Sequence, residues 1–336
     1  MVAMSLISAT NRETIANQHF AVATSHDLCQ PLKSDMPLIP IQTLDDPRLT
    51  VFRDVKATRH SRWKGRFVAE GARLVKRLLS SDFVVESLML IEGRVEEFST
   101  WLRPEIPTFV MPQTLAAELV GYNFHCGAMA CALRKPSPSL DDIMARGGER
   151  MTFVVCPDVN DPENIGTLIR LGAAFGIDAM LLGPACADPF SRRVLRVSMG
   201  NALTLPIVCS RDLSADLRRL KSEWQVQLAA TVVEQNDPTD ADGTVVWTPP
   251  SERSDGGVQA TEPLDQAGRP TRLALLFGNE ANGLGSEWLE LCDRRLTIPM
   301  HGADSLNVAI AAGIFLHHFT SSTRVASVSE PSVSRT

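Results

Sequence analysis

The run Phe153-Val-Val-Cys-Pro-Asp-Val-Asn-Asp-Pro-Glu-Asn-Ile-Gly-Thr-Leu-Ile-Arg-Leu-Gly-Ala-Ala-Phe175 decides the fold. It opens on a short apolar stretch of strand length, 153–156, and passes into a segment, about 163–175, where Ile165, Leu168, Ile169 and Ala173 recur at helical spacing. The same alternation continues downstream. Strands are predicted at 179–182, 204–208 and 226–231, with a helix at about 212–222. After an interruption come a strand at 273–277, a short helix near 286–291, a strand at 295–298 and a helix from about 305 to 319. Strands alternating with amphipathic helices predict an α/β fold, a mainly parallel sheet with helices on both faces.

The flanking regions read differently. Residues 1–47 mix Ser, Thr, Asp and Pro without periodicity and read as a disordered extension. From Phe67 the residues Leu74, Val75, Leu78 and Leu79 have helical spacing, and 84–91 is strand-like. Short alternations follow near Trp101 and at 109–111, 115–120 and 128–133. Together these predict a small mixed α/β domain over 48–134, joined through a Pro- and Ser-containing linker, 135–150, to the larger domain at 151–321. Residues 235–270 hold too few apolar side chains to bury and read as a surface insertion, and the Ser-rich 322–336 as a disordered tail.

At 336 residues, two domains are the natural expectation, and an apolar fraction of 44% supports compact cores. The net charge of −6 is unevenly spread. Between Glu234 and Asp265 there are eight acidic residues and one basic one, so the remainder is close to neutral. By contrast, Arg53, Lys56, Arg59, Arg62, Lys64, Arg66, Arg73, Lys76 and Arg77 stand against only Asp54 and Glu70. That cluster is suited to a phosphate backbone, with Arg59, Arg62, Lys64 and Arg66 as candidate RNA contacts; the alternative is a solvated helix face. The seven cysteines form no C-x-x-C pair and read as small core residues in a reducing cytosol. No apolar stretch reaches the roughly 20 residues that span a bilayer, and a cytoplasmic location is expected.

Three segments carry chemistry: Asn164-Ile-Gly-Thr-Leu-Ile-Arg170, Phe277-Gly-Asn-Glu-Ala-Asn-Gly-Leu-Gly285 and Ile298-Pro-Met-His-Gly-Ala-Asp-Ser-Leu-Asn307. Each sets polar side chains where a strand gives way to a loop or helix, the place where open α/β sheets bind ligands. In the second, Gly278, Asn279, Asn282, Gly283 and Gly285 supply backbone that can approach a nucleoside closely. Its glycines read G-x-x-x-x-G-x-G, which is neither the dinucleotide fingerprint nor a P-loop, and this argues against a dinucleotide oxidoreductase. Each segment taken alone has a plainer reading. The second is an Asn-Gly turn; in the third, Asp304 or Ser305 caps a helix; in the first, Arg170 is a solvated residue or the ion-pair partner of Glu163 or Asp178.

In this order the three segments resemble the SpoU (TrmH-type) branch of the SPOUT superfamily of RNA ribose 2′-O-methyltransferases. The likeness covers about 151–320 and is carried by Asn164, Gly166, Arg170 and Gly176; by Gly278, Asn279, Glu280 and Gly283; and by Ile298, Pro299, Ser305, Leu306, Asn307 and Ala312. One departure is Ala309, where many relatives carry a serine. The region at about 60–134, with Phe67-Val-Ala-Glu-Gly-Ala-Arg73, is similar to the ribosomal-protein-like RNA-binding domain that often precedes this catalytic domain. The resemblance implies a trefoil-knotted sheet and a homodimer. It implies S-adenosylmethionine held near Gly278, Asn279, Gly283, Ile298, Met300 and Leu306, and an RNA substrate, with ribosomal RNA favoured over transfer RNA. No metal and no membrane contact are expected.

Methyl transfer to a ribose oxygen requires the hydroxyl to lose its proton as the bond forms, so a base or an alkoxide stabiliser is needed. The family gives a leading role to the arginine that corresponds to Arg170. A guanidinium is almost never neutral, so Arg170 is read as an electrostatic clamp on the developing alkoxide and its phosphate. Asn164, Glu280, Ser305 and Asn307 then position the ribose, Arg170 and the methyl donor. The competing reading is a non-catalytic RNA-binding or ribosome-associated protein that retains the fold.

Overall fold

The computed structural model describes residues 38–53, 65–233, 261–300, 303 and 305–321. The first five strands are β1 (Leu38–Pro40), β2 (Arg66–Glu70), β3 (Val85–Ile91), β4 (Thr108–Met111) and β5 (Ala128–Leu133). They form one mixed sheet in the order β1-β4-β3-β5-β2. Helices α1 (Ala72–Leu79) and α2 (Gln113–Val120) belong to the same region.

The chain then runs through α3 (Leu140–Arg146), β6 (Met151–Cys156), α4 (Pro162–Phe175), β7 (Ala179–Leu182), α5 (Arg192–Val197), β8 (Ile207–Cys209), α6 (Leu213–Trp224) and β9 (Gln227–Thr231). It ends with β10 (Thr261–Pro263), β11 (Arg272–Leu276), α7 (Ser286–Leu291), β12 (Arg294–Thr297) and α8 (Val308–Ser321). These seven strands make a second sheet, order β10-β12-β9-β11-β6-β7-β8, parallel at every pairing.

The period-two geometry of β6 shows why its sequence is continuously apolar. Phe153 and Val155 join Leu140 and Ile143 of α3 and Leu217 and Leu220 of α6 in one core cluster. Val154 and Cys156 join Ile165 and Leu168 of α4 and Phe315 and Phe319 of α8 in the other. A strand covered by helices on both faces has no polar side to show. Asp161 caps α4 by accepting from the Glu163 amide at 2.8 Å, Pro162 occupies its first turn, and Gly176 ends it at φ +70°.

Several boundaries differ from the sequence reading. The extension expected over 1–47 is partly ordered sheet at its end: residues 38–40 pair with β4 as an edge strand, and Ile41 is buried beside it. Phe67 lies on β2 rather than on a helix, and Gly71, at φ +103°, turns the chain before α1 begins. The 115–120 alternation is helical, within α2. The expected linker 135–150 contains α3, closed by a capping box between Ser139 and Asp142, with Leu140 and Ile143 buried. The acidic insertion does not extend to 270. Residues 261–263 pair with β12, and Leu264 and Ala267 are buried in the core. The rest of the insertion, like the 322–336 tail and residues 1–37, lies outside the described residues. Helix α5 has no counterpart in the sequence reading.

The described residues form one compact unit, and its largest core cluster runs from Phe67 and Leu78 by the first sheet to Phe315 and Phe319 by the second. Segment 186–201 joins the sheets. Phe190 stacks on Phe67 and Phe83 with ring centroids 5.1 and 5.7 Å away, Arg134 pairs with Asp188, and Arg192 pairs with Glu70.

Helices α4 and α5 approach so closely that a Cβ on Gly166 would stand 2.6 Å from the Val197 Cβ. Gly166→Ala should therefore lower unfolding free energy by about 1–2 kcal/mol, the overpacking cost exceeding the helix-propensity gain of about 1 kcal/mol. In a denaturant-unfolding double-mutant cycle, Val197→Gly, which removes the Cβ that the new methyl would strike, should couple favourably with it; strict additivity would contradict this account of the contact.

Candidate active site

The strand β11 runs out through Phe277 into a loop closed on itself. Asn279 and Gly283 exchange backbone hydrogen bonds of 3.0 and 2.9 Å, with Gly283 at φ +65°. A Cβ on Gly278 would lie 2.3 Å from the Gly283 carbonyl carbon, a backbone atom that cannot yield, so position 278 excludes every side chain. Asn279 braces the turn twice: its Oδ1 accepts from the Ala281 amide at 2.8 Å and its Nδ2 donates to the Asp158 carbonyl at 3.2 Å. This presents Glu280 at the loop tip.

Glu280 meets the other two segments through one polar chain. Asn307 Nδ2 donates to Asn164 Oδ1 at 3.0 Å, and Asn164 Nδ2 donates to Glu280 Oε1. The direction is fixed at the far end, because Asn307 Oδ1 accepts from the amides of Ala309 and Ile310 at 2.9 and 3.3 Å. Its Nδ2 must therefore point away from the helix, which sets the Asn164 amide and leaves a donor for the carboxylate. Asn307, not Ser305, is thus the cap of α8, and Ser305 is exposed before the helix begins. Asp304, the other capping candidate, lies outside the described residues.

Beside this chain lies a cavity of about 410 Å3. All six positions assigned to the cofactor line it: Gly278, Asn279, Gly283, Ile298, Met300 and Leu306. Glu280, Ser305 and Asn307 reach it as well, whereas Asn164 is buried behind it. Thr231 and Phe315 also form part of its wall, and neither carried a sequence signal.

Arg170 stands apart. It is exposed on α4, does not line the cavity, and among the described residues makes no hydrogen bond or ion pair. The ion pairs suggested for it do not form: Glu163 pairs with Arg193, and Asp178 accepts from the Thr152 amide at 2.7 Å.

The basic cluster is only partly available to a ligand. Arg59, Arg62 and Lys64 lie outside the described residues. Arg66 is not the free cation expected, because Glu86, from β3, takes its guanidinium in a two-point ion pair. Lys76 pairs with Glu97 at 2.9 Å, and Arg77 donates to the Met199 carbonyl. The six described cysteines are all free thiols. No group of three or more His, Cys, Asp or Glu residues suited to a metal occurs among the described residues, and no described helix is long and apolar enough to cross a membrane.

Residues 151–317 match the SpoU rRNA Methylase family. An uncharacterized tRNA/rRNA methyltransferase of Mycobacterium bovis is 34% identical over 284 residues, spanning 83% of this chain and 90% of the relative. The 23S rRNA (guanosine(2553)-2′-O)-methyltransferase of Bacillus subtilis is 34% identical over 161 residues, 48% of this chain and 54% of the relative. Among solved structures, an rRNA methyltransferase of Sinorhizobium meliloti with bound AdoMet superposes with a TM-score of 0.67 at 24% identity, covering 87% of this chain and 100% of that one.

One carboxylate near the site was not singled out by sequence. Burial, with the like charges of Glu280 and Glu287, pushes the Asp158 carboxyl above its ordinary value of 3.8. A raised carboxyl opposes folding above its folded-state pKa and imposes nothing below its unfolded one. Asp158→Asn should accordingly raise the melting temperature at pH 7, with the gain shrinking as pH falls toward 3.8. A variant less stable than wild type at pH 7 would show that the carboxylate is held by contacts that outweigh its burial.

Proposed function

The chain belongs to the SpoU rRNA methylase family of S-adenosylmethionine-dependent RNA methyltransferases, and we propose that its transfer of methyl to a ribose 2′-hydroxyl takes place at the cavity beside Glu280, Asn164 and Asn307. The observation that carries this reading is the hydrogen-bonded chain that draws all three sequence segments to one cavity.

The cavity suits a nucleoside sulfonium. Its apolar wall, with Ile298, Leu306 and Phe315, can cover flat and aliphatic groups, and the close backbone at Gly278 leaves room beside them. Residues 278–283, 298–300 and 305–307 are those that would hold the donor. When bound, S-adenosylmethionine supplies an electrophilic methyl group. The protein's own part is alignment: Asn307 fixes Asn164, Asn164 fixes Glu280, and Glu280 offers a carboxylate to hydroxyls or cationic groups at the mouth. Arg170 supplies positive charge to the phosphate and to the developing alkoxide, while phosphate or water takes the proton.

Arg170 lies off its own cavity, which supports a homodimer as the working unit. Helix α8 packs against α4 and exposes Ile310 and Ile314, 58% and 40% accessible, one turn apart. A second copy covering them would bring its site against α4. The knot belongs to the same reading: β12 pairs outside β9 rather than beside β11, while α8 returns to α4. A ribosomal target is favoured by the 23S rRNA specificity of the Bacillus subtilis relative, the first sheet is read as the RNA-binding part, and a cytoplasmic location fits such a substrate.

Incubation with labelled S-adenosylmethionine and RNA from a strain lacking the gene should yield a labelled 2′-O-methyl nucleoside. Arg170→Ala should abolish that label while leaving donor affinity by calorimetry within about twofold, since removing one transition-state charge contact costs about 10²–10³ in turnover. Near-normal turnover in the variant would remove Arg170 from the mechanism.

A further inference from the structure

Two segments of this chain carry three cations each and no acid: residues 72–80, with Arg73, Lys76 and Arg77, and residues 191–205, with Arg192, Arg193 and Arg196. They touch in space. Arg77 donates to the Met199 carbonyl and, at 3.1 Å, to Asn201 Oδ1, and a Cβ on Gly200 would come within 2.7 Å of a Leu74 methyl. The fold engages three of the six. Arg192 is tied to Glu70 and Tyr122, Arg77 to the 199–201 turn, and Lys76 to Glu97. Burial acts to raise the Glu70 carboxyl, yet the hydrogen bond and charge of Arg192 hold it below its ordinary value.

What this leaves outward is Arg73 on α1 and Arg193 and Arg196 on α5, all exposed. Among the described residues Arg73 and Arg196 have no hydrogen-bond or ion-pair partner, and Arg193 has only Glu163, in a pair about half exposed on both sides. Like charges at i and i+3 on a six-residue helix oppose its formation by a few tenths of a kcal/mol, and Arg196 has no ion pair to offset that repulsion from Arg193. The strip also has a direction. Helix α5 is pressed onto α4 at Gly166, and Arg193 reaches the residue next to Asn164. It therefore runs from the first sheet to the start of α4, where Asn164 joins the polar chain beside the cavity.

We propose that Arg73, Arg196 and Arg193 form a phosphate track that lays the RNA backbone across the junction of the two sheets and delivers it to the cavity. The proposal rests on the reading of the chain as an RNA methyltransferase and adds the path of the substrate. It differs from the sequence expectation for Arg66, which is engaged by Glu86. The unpaired guanidiniums of Arg73 and Arg196, with the half-exposed Arg193 beside them, suit phosphates, with RNA bound without regard to sequence at these positions.

The test is the salt dependence of binding of the protein to a fluorescein-labelled single-stranded RNA, a usable probe because the phosphate term is independent of sequence. Arg73→Ala/Arg196→Ala should lower the slope of log K against log salt by about 1.4, since each phosphate contact on single-stranded RNA contributes about 0.7. Donor affinity and melting temperature should match wild type, and the Lys/Lys double variant should restore the slope. Arg218→Ala, an exposed cation on α6 across the second sheet, should leave it unchanged. A double-Ala variant with the wild-type slope overturns the track and leaves the enzyme reading intact. A wild-type protein that binds the donor but shows no salt-dependent RNA binding overturns both.

Discussion

Asn164 is satisfied on both sides of its amide by residues 116 and 143 positions away in the chain, and this constraint organises the second half of the molecule. The side chain is only 8% exposed, so an unmet donor or acceptor there would cost about 1–3 kcal/mol. Satisfying it requires the start of α4, the loop after β11 and the start of α8 to converge. Each of these follows the carboxyl end of a parallel strand, or the loop beyond it, where an open sheet leaves a crevice. The amide has no freedom to flip, because Asn307 is already committed to the first turn of α8. One helix cap thus sets the orientation of a carboxylate two residues along the hydrogen-bonded chain.

The same economy appears at the junction of the sheets. Segment 186–201 contributes an aromatic ring to the first sheet's packing through Phe190, and two buried-side ion pairs through Asp188 and Arg192. Removing one partner from such a pair leaves a desolvated charge, a cost of about 3–5 kcal/mol. The relative placement of the sheets is therefore fixed by interactions that tolerate no slippage. A mobile tether would bring the first sheet and the cavity into register only by chance; a rigid junction holds them as one continuous surface, as the proposed RNA path requires.

The parallel sheet was legible because its strands are buried on both faces and its helices on one. The change from continuous apolar runs to 3.6-residue spacing at 163–175 or 212–222 is a local signal. The site was legible in its residues but not in its wiring: sequence brings out Asn164, Glu280 and Asn307 as polar outliers, yet their connection depends on tertiary convergence. The misreadings share a cause. Residues 38–40 and 261–263 are three-residue edge strands, too short to show a period, and are held by partners 70 and 34 residues away, β4 with Thr108 and β12 with Arg295. Helix α5 was invisible because half of its residues are arginines, and what makes it a helix is packing against α4 and β2. Ser305 looked like a cap because it is a good capping residue near a helix start, and Asn307 won because its side chain also had to meet Asn164.

The exposure of Arg170 follows from how the neighbouring acids are spent. Glu163, on its own helix, is taken by Arg193, and Asp178, just past that helix, is held by a backbone amide of β6. Glu280 is turned toward Asn164. A guanidinium beside a free carboxylate would already have its donors occupied and its charge neutralised before any RNA arrived. Here the nearby carboxylates are each bound elsewhere, so all five N–H donors stay available, which is what the proposed clamp on a phosphate and a developing alkoxide requires. The Arg193–Glu163 pair therefore has two effects at once: it tethers α5 to the start of α4, and it keeps an acid away from Arg170.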